Sequence, residues 1–200
     1  MPLEKYWEKR DFKQTPEPRG QHRSAGRKQI FVVQKHDASR LHYDFRLEME
    51  GVLVSWAVPK GPTLDPSSKR FATMTEDHPI DYADFEGVIP EGHYGAGTVM
   101  VWDRGTYASE GDVTPQEQLR NGELKVELQG KKLRGAFVLV HMGRPSGKPR
   151  EKSRWLLIKR KDEWANSKWR DNAPAVSRSV LSNRTMEEIE HDRPRRKKAA

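Results

Sequence analysis

The amino-acid sequence predicts an all-β protein, a small closed β-barrel of about eight strands with one or two short peripheral helices. Short runs rich in β-branched and aromatic residues recur along the chain, and glycine, proline, aspartate and asparagine separate them. Helical periodicity is almost absent. The length of 200 residues allows one domain of ordinary size with tails.

The strand-like runs begin at Ile30 and continue to the last third of the chain. In chain order they are IFVVQKH, LHYDFRLEME, VLVSWAV, FATMTE, GTVMVWDRGTY, LKVELQG, GAFVLVHMG and RWLLIKRK. Their number and spacing favour a barrel or sandwich over an α/β fold, because the segments between them are too short for crossover helices.

Two short helices are predicted beside the strands. In TPQEQLRNG, Thr114–Gly122, the threonine caps a helix, the proline opens it and the Asn-Gly pair ends it. In VLSNRTMEEIE, Asn183 or Thr185 would cap a second helix. The basic, turn-rich segment Gly143–Arg154 is expected to be a mobile loop.

Composition divides the chain into three parts. Residues 1–29 are polar and interrupted by prolines and glycines, which predicts an extended arm with one short helical turn near Tyr6–Phe12. Residues 30–168 hold the strands and form the predicted barrel domain, and residues 169–200 form a polar tail with the basic run RPRRKK. The arm holds too few apolar groups to form a core, so a chain beginning at residue 30 is expected to keep the barrel.

Charge and composition narrow the function. The net charge of +8 and the pI of about 9.7 favour a polyanionic partner, because Lys and Arg neutralise phosphates. The absence of cysteine excludes disulfides and thiolate metal sites and fits a reducing cytosol. The first residues lack an apolar signal region, and no run approaches the roughly 20 apolar residues of a membrane helix. We therefore expect a cytoplasmic, nucleoid-associated monomer with no membrane partner.

The run LHYDFRLEME separates its polar and apolar residues onto two faces. Side chains alternate across a strand, so its odd-numbered positions, all apolar, predict a core face. His42, Asp44 and Arg46 then lie on the opposite face, and Gln34 and His36 share a face of the preceding run in the same way. If DASR forms the turn of a hairpin, His36 returns beside His42 and Asp44.

Two imidazoles and a carboxylate that meet at one hairpin predict a divalent metal site. A solvated strand face with incidental histidines is the alternative, and it would suit a lone histidine better. Two nitrogen ligands and one oxygen ligand suit Mn²⁺, Fe²⁺ or Zn²⁺, and three protein ligands leave positions open for water and substrate. Arg46 nearby would suit a phosphate. Non-haem iron oxygenases use the same ligand types, but the ligand order here and the basic charge disfavour that alternative.

A second polar cluster lies in EDHPIDYADFEG, Glu76–Gly87. Its His78 and Tyr82 either reach the open side of the metal and donate to a phosphate oxygen, or belong to a turn with surface polar groups. The following IPEGHYGAGTVMVWD is glycine-rich but lacks the GxGxxG order. It is expected to be a turn that leads into a strand, with His93 in a structural role.

These segments together resemble the 3′-phosphoesterase module of bacterial and archaeal ATP-dependent DNA ligase D. The resemblance is carried by QKHDASRLHYDFRLE, WAVPKGPTLD, EDHPIDYADFEGVIPEGHYGAGTVMVWDRGTY and WLLIKRK, and it extends from Arg10 to Trp164. It implies a small β-barrel with a Mn²⁺ site on its surface. It also implies an activity that trims 3′ ends at a primer–template, removing a terminal ribonucleoside and then the 3′-phosphate to leave a 3′-OH.

The resemblance implies three sets of site residues. The implied Mn²⁺ ligands, which Co²⁺ or Zn²⁺ could also use, are His36, His42 and Asp44. The implied phosphate contacts and neighbouring supporting positions are Arg46, His78, Tyr82, Gln34, Lys60 and Arg70. The arm residues implied to reach the site through RDFKQTPEP are Arg10, Asp11 and Glu17.

The expected function is Mn²⁺-dependent 3′-end processing during DNA break repair. The expected partner is DNA with recessed or ribonucleotide-terminated 3′ ends. The family's module is often fused to ligase and polymerase domains, and no KxDG ligase motif is present here. We therefore expect a stand-alone or excised module, with a DNA ligase, a polymerase/primase and Ku as further partners. A non-catalytic DNA-end-binding adaptor of a repair complex is the alternative from another class.

Overall fold

The protein folds around antiparallel strands, and all eight predicted runs form strands. The structure, a computed structural model, describes residues 3–22, 29–143, 152–170, 173 and 176–192. Its strands are β1 Ile30–Asp37, β2 Leu41–Met49, β3 Val52–Val58, β4 Lys69–Met74, β5 His78–Pro79, β6 Gly87–Ile89, β7 Gly97–Ser109, β8 Glu123–Gly130, β9 Arg134–His141 and β10 Arg154–Lys159. The helices are α1 Glu4–Glu8, α2 Pro115–Arg120, α3 Met186–Glu190 and a 3₁₀ helix at Ile80–Asp84.

Eight of these strands close into a barrel, which confirms the predicted fold class. Neighbouring strands follow the order β1-β2-β3-β4-β10-β9-β8-β7, and β7 pairs with β1 to complete the ring. Two short strands lie off the ring: β5 pairs with β3, and β6 pairs with β7. They were not predicted, because two or three residues are too few to show an alternating pattern.

The main hydrophobic core fills the barrel. Its largest members, including Trp56, Trp102 and Trp155, are completely buried. The core face predicted for β2 is confirmed from Tyr43 to Met49 but wrong at Leu41, which is exposed at the start of the strand. The barrel is therefore stabilised mainly by burial of inward-facing apolar side chains.

A second hydrophobic layer covers the outer face of the barrel near β1 to β3. It contains Val32 and Leu53 from the strands, Tyr82 and Phe85 from the segment after β5, and Tyr6 from α1. Most polar groups on this face, including Gln34, Asp44 and Arg46, are consequently buried, whereas His42 near the start of β2 is partly exposed.

The N-terminal arm packs against the barrel through two completely buried residues. Leu3 belongs to the main core, and Tyr6 belongs to the outer layer. The sequence predicts that the arm is too polar to form a core, but its pattern does not indicate that two apolar side chains of the arm are buried in the two hydrophobic clusters of the barrel. The arm's helix, Glu4–Glu8, starts two residues before the predicted turn at Tyr6–Phe12.

The two predicted helices are present with their predicted caps. Thr114 accepts a hydrogen bond from the backbone N–H of Glu117 at the start of α2, and Thr185 forms a capping box with Glu188 at the start of α3. Ile189 of α3 is buried in the main core. Apolar residues after residue 168 thus pack on the barrel, while the domain boundaries at 29/30 and 168/169 stay predictions.

Two predicted features fall outside the described residues. They are the basic run Arg193–Lys198 and residues 144–151 of the predicted loop. Among the described helices, none is long and apolar enough to cross a membrane.

Candidate metal and phosphate site

The β1–β2 hairpin brings together the two histidines and the aspartate predicted to bind a metal. Its register pairs His36 with His42 and Gln34 with Asp44, across a turn at residues 38–40, which confirms the predicted hairpin. One ligand atom from each of His36, His42 and Asp44 lies within 4.8 Å of the others. Cross-strand partners share a face of the sheet, so this convergence follows from the register alone.

The histidine hydrogen bonds are those expected of metal ligands. His36 Nε2 lies 2.9 Å from the carbonyl oxygen of Gly95, and His42 Nδ1 lies 2.9 Å from that of Arg40. A carbonyl only accepts, so these nitrogens carry the proton in a neutral ring. The other nitrogens face Asp44, with N–O distances of 3.6 Å and 3.8 Å that are too long for hydrogen bonds. Lone pairs that converge beside a carboxylate fit a bound cation.

Arg46 holds the carboxylate of this cluster. Its Nη2 lies 3.1 Å from Asp44 Oδ2, while its Nε donates to Gln34 Oε1 and its Nη1 to Ser55 Oγ. Burial opposes ionisation of Asp44, but the Arg46 guanidinium beside it keeps the pKa of this carboxyl well below its usual range. Asp44 is therefore an anion at neutral pH, as a metal ligand has to be.

His78 lies between two arginines. Its Nδ1 is 2.9 Å from Arg46 Nη1 and its Nε2 is 3.2 Å from Arg10 Nη2, while the carbonyl of Glu76 also lies 2.9 Å from Nδ1. Burial, followed by the charges of Arg46 and Arg10, lowers the pKa of His78 well below its ordinary value. The ring is therefore neutral at pH 7, and it accepts a hydrogen bond from one of the two arginines but not from both.

The arm delivers Arg10 and Glu17 to this position. Arg10 Nε donates to Glu17 Oε1 at 2.7 Å, and its Nη1 donates to Glu76 Oε1 at 3.1 Å. The hydroxyl of Tyr82 donates to the same oxygen of Glu17 at 3.0 Å. Burial and the charge of Glu17 raise the pKa of Tyr82, which keeps this hydroxyl protonated.

Two further predicted residues, Gln34 and Asp11, form hydrogen bonds that hold neighbouring segments of the chain in place. Gln34 donates to the carbonyl oxygens of Tyr82 and Phe85, which ties the segment after β5 to β1. Asp11 accepts from the backbone N–H of Lys13 and from the side chain of Gln14. It therefore closes the turn that follows Arg10 in sequence, and its carboxylate does not contact the described metal cluster.

Lys60 and Arg70 are not joined to the cluster by any hydrogen bond or ion pair between described residues. Lys60 is exposed in the turn after β3, and Arg70 pairs with Leu157 along the β4–β10 ladder. The Nε of Arg70 is buried and has no hydrogen-bond partner within the described part of the chain. A guanidinium nitrogen in this state can donate to an incoming oxygen ligand.

The sequence reasoning missed Glu76. Its carboxylate accepts from Arg10 and also from Lys9, whose Nζ lies 3.1 Å from Oε2, and its carbonyl contacts His78. Glu76 therefore fastens the arm to the barrel and orients the histidine. It stands two residues before His78, but nothing in its local pattern separates it from a surface carboxylate.

Comparisons with known proteins find one matching family and several similar chains. The family described as "DNA Ligase D 3'-phosphoesterase domain" matches residues 34–141, just over half of the 200-residue chain. The "Multifunctional non-homologous end joining protein LigD" of Pseudomonas aeruginosa is 53% identical over 188 residues, which are 92% of this chain and 22% of that protein.

Mycobacterial relatives match less closely. The "Multifunctional non-homologous end joining DNA repair protein LigD" of Mycobacterium tuberculosis is 44% identical over 162 residues, 80% of this chain and 20% of that protein. The LigD of Mycolicibacterium smegmatis is 41% identical over 180 residues, 88% of this chain and 22% of that protein. The chain thus spans about a fifth of the length of the curated relatives it matches.

Proposed function

The chain belongs to the DNA ligase D 3′-phosphoesterase domain family, and we propose that it is a Mn²⁺-dependent hydrolase that processes DNA 3′ ends. It would remove a 3′-terminal ribonucleoside from a primer–template and then the 3′-phosphate, leaving a 3′-OH. The observation that carries the proposal is a His₂Asp cluster, fit for a divalent cation, that continues directly into a string of buried arginines and a neutral histidine.

A cation held by His36, His42 and Asp44 would supply a Lewis acid for a phosphoryl oxygen and would lower the pKa of a water molecule. The chain's own residues bind and orient the phosphate. Arg46 fixes Asp44 and places positive charge next to the phosphate. The neutral His78 ring, whose nitrogens face Arg46, Arg10 and the carbonyl of Glu76, would donate its N–H to a phosphoryl oxygen that displaces one of these groups. Co²⁺ or Zn²⁺ would suit the same ligands.

The remaining site residues are proposed to position these groups or to extend the phosphate site. Gln34 accepts a hydrogen bond from Arg46, and Tyr82 donates one to Glu17. Glu17 also accepts from Arg10 and so positions Arg10 against His78. Asp11 fixes the turn behind Arg10. The proposed outer phosphate contacts are Lys60 and Arg70.

The charges of the described residues around the proposed phosphate site support a role for a metal. Among the described residues, ion pairs of 2.7–3.1 Å join Lys9, Arg10 and Arg46 to Glu17, Asp44 and Glu76, three cations to three carboxylates. These groups leave no excess positive charge to attract a phosphate dianion. A divalent cation beside Arg46 would supply that excess, so we expect tight binding of a 3′-phosphate only with the metal present.

A labelled primer–template with one 3′-ribonucleotide tests the proposal. With Mn²⁺ the protein should release the nucleoside and then the phosphate, and a chelator should stop both steps. His42→Ala should be inactive, while His191→Ala, which alters an exposed histidine after α3, should match the unaltered protein. DNA binding without any change of the strand in Mn²⁺, Co²⁺ or Zn²⁺ would instead favour the end-binding adaptor.

Because the similar proteins are named for non-homologous end joining, we propose this process as the setting of the activity. A DNA ligase, a polymerase/primase and Ku are the partners we propose for it. Each can be tested by co-purification with the full chain in the presence and absence of DNA ends.

A further inference from the structure

The turn between β6 and β7 places Tyr94 next to the metal cluster. The carbonyl of the following residue, Gly95, lies 2.9 Å from His36 Nε2. Gly92 and Gly95 have φ values of +82° and +77°, which residues with a β-carbon rarely adopt. The turn therefore places Tyr94 directly before Gly95, whose carbonyl oxygen orients the proposed metal ligand His36.

The side chain of Tyr94 lies over the ion pairs that join the arm to the barrel. Its hydroxyl is 3.4 Å from Lys9 Nζ and 3.5 Å from Glu76 Oε2. Its ring centre is 4.8 Å from Lys9 Nζ and 5.3 Å from the guanidinium carbon of Arg10. Arg10 contacts His78, so the ring borders the proposed phosphate site, and the residue that follows Tyr94 contacts the metal cluster through its carbonyl.

Exposure distinguishes Tyr94 from the other tyrosines that border this site. Tyr6 and Tyr82 are 0% and 2% exposed, whereas Tyr94 is 49% exposed. Its hydroxyl contacts lie at the long limit of hydrogen bonding and contribute little to holding the ring in place. A half-exposed aromatic ring at the rim of a phosphate site is the kind of surface on which a nucleobase stacks.

We propose that Tyr94 is a substrate-contacting residue that stacks on the base of the nucleoside bearing the 3′-phosphate. The inference rests on the proposed function. That base is joined to the phosphate through a single sugar, so it lies at the rim of the site when the phosphate is inside. Stacking would let the site prefer nucleic-acid ends over small phosphate monoesters, and it would tolerate any base, because every base has a π face.

The test removes the two stacking partners separately and together. Kinetics are measured on a 3′-phosphorylated primer–template whose last nucleoside is either normal or abasic. For the unaltered protein, loss of the base should raise KM about tenfold. Tyr94→Ala should raise KM about tenfold on the normal substrate and should add nothing on the abasic one, with kcat little changed. Tyr94→Phe should restore the dependence on the base.

The matched control is Trp164→Ala. Trp164 is 40% exposed, and the Arg134 guanidinium carbon lies 5.0 Å from its ring centre, so it resembles Tyr94 in exposure and in having a cation nearby. It follows β10, and no contact between described residues links it to the cluster. This variant should keep the tenfold dependence on the base. Thermal unfolding of each variant checks that the fold is retained.

Two results would overturn the inference. If Tyr94→Ala and the abasic end raise KM independently, so that their effects multiply, Tyr94 only holds Lys9 and Glu76 in place. If the unaltered protein processes both substrates with the same KM, the base is not recognised, and the inference fails while the proposed function stands. A protein that processes neither substrate refutes the proposed function and this inference together.

Discussion

His42 and Asp44 belong to one cluster, but they differ in what surrounds them. The side chain of Asp44 is 10% exposed and pairs with Arg46. That of His42 is 23% exposed, and its polar contacts with described residues are a backbone carbonyl and the cluster itself. Asp44→Asn leaves a buried guanidinium without its counter-charge, so we expect a loss of about 3 kcal/mol in the free energy of unfolding. His42→Ala should cost under about 1 kcal/mol.

Both variants should lose Mn²⁺ binding and both phosphoesterase steps, since each removes one of the three proposed ligands. Calorimetric titration with Mn²⁺ and urea unfolding without metal separate the two effects. Undiminished Mn²⁺ binding in either variant would refute the ligand assignment. Equal stability of the two variants would show that the Asp44–Arg46 pair contributes little to folding.

The neutral state of His78 makes a prediction about pH. Burial, Arg46 and Arg10 lower its pKa in the folded protein, whereas the unfolded chain takes up this proton near pH 6.5. Below that pH the unfolded state binds one more proton, so the free energy of unfolding should fall as pH falls. The contribution of this residue is about 1.4 kcal/mol per pH unit until the folded-state pKa is reached.

Urea unfolding between pH 7.5 and pH 5 checks this slope. His78→Gln should show a shallower decline than the unaltered protein, and His191→Ala should not. NMR of the His78 ring should show no protonation across the same range. A ring that titrates near pH 6.5 would contradict the neutral assignment.

At the scale of elements, the arm is the least predictable part of the molecule. Deleting residues 1–29 would remove the buried Leu3 and Tyr6, so loss of activity in that truncation would not separate catalysis from folding. Point variants in the arm separate the two effects. We expect Glu17→Gln or Arg10→Ala to lower kcat about 100-fold, because each releases the contact of the arm with His78.

Glu8→Ala is the control for the arm, because Glu8 is exposed at the end of α1. It should keep full activity and the melting temperature of the unaltered protein. If Arg10→Ala and Glu17→Gln also keep full activity on the ribonucleotide-terminated substrate, the arm serves to stabilise the barrel and these residues have no part in the site.

The strands could be predicted because the alternation of polar and apolar residues lies within each segment. The position of the arm could not be predicted, because it depends on contacts with residues distant in sequence. Alternation within LHYDFRLEME is enough to place His42, Asp44 and Arg46 on one face, and the hairpin adds His36. The approach of His78 depends on its pairing with Leu53, and that of Glu17 on a contact with Tyr82 far along the chain. No periodicity in the sequence reports such contacts between distant segments.

At the scale of the whole molecule, the residues that stabilise the barrel are distinct from those of the proposed site. The interior is filled by apolar side chains, whereas His36, His42, Asp44 and Arg46 lie on the opposite face of β1 and β2. The arm and the segment after β5 meet beside this face, where Tyr82 donates to Glu17. Substitutions in the site therefore leave the main core intact. The ion pairs of the site balance in charge among the described residues, so we expect the net charge of +8 to arise elsewhere on the chain and to act on the proposed DNA substrate.

That excess charge predicts strongly salt-dependent DNA binding. The affinity for a primer–template should fall linearly on a plot of log K against log salt, with a slope of about −0.9 for each phosphate neutralised. Arg193–Lys198 contains five of the basic residues, so deleting it lowers the net charge from +8 to +3. The slope should become shallower by about 0.9 for each of these residues that contacts a phosphate, while kcat on a short substrate stays unchanged, because none of the proposed site residues is lost.

The matched control removes only Ala199–Ala200, which carry no side-chain charge, and should leave the slope as it was. Anisotropy titrations between 50 and 200 mM salt, a range of about fourfold, resolve such a difference. An affinity that does not change with salt would refute backbone contacts, and an equal slope in both deletions would place the phosphate-binding charge on the barrel and the arm.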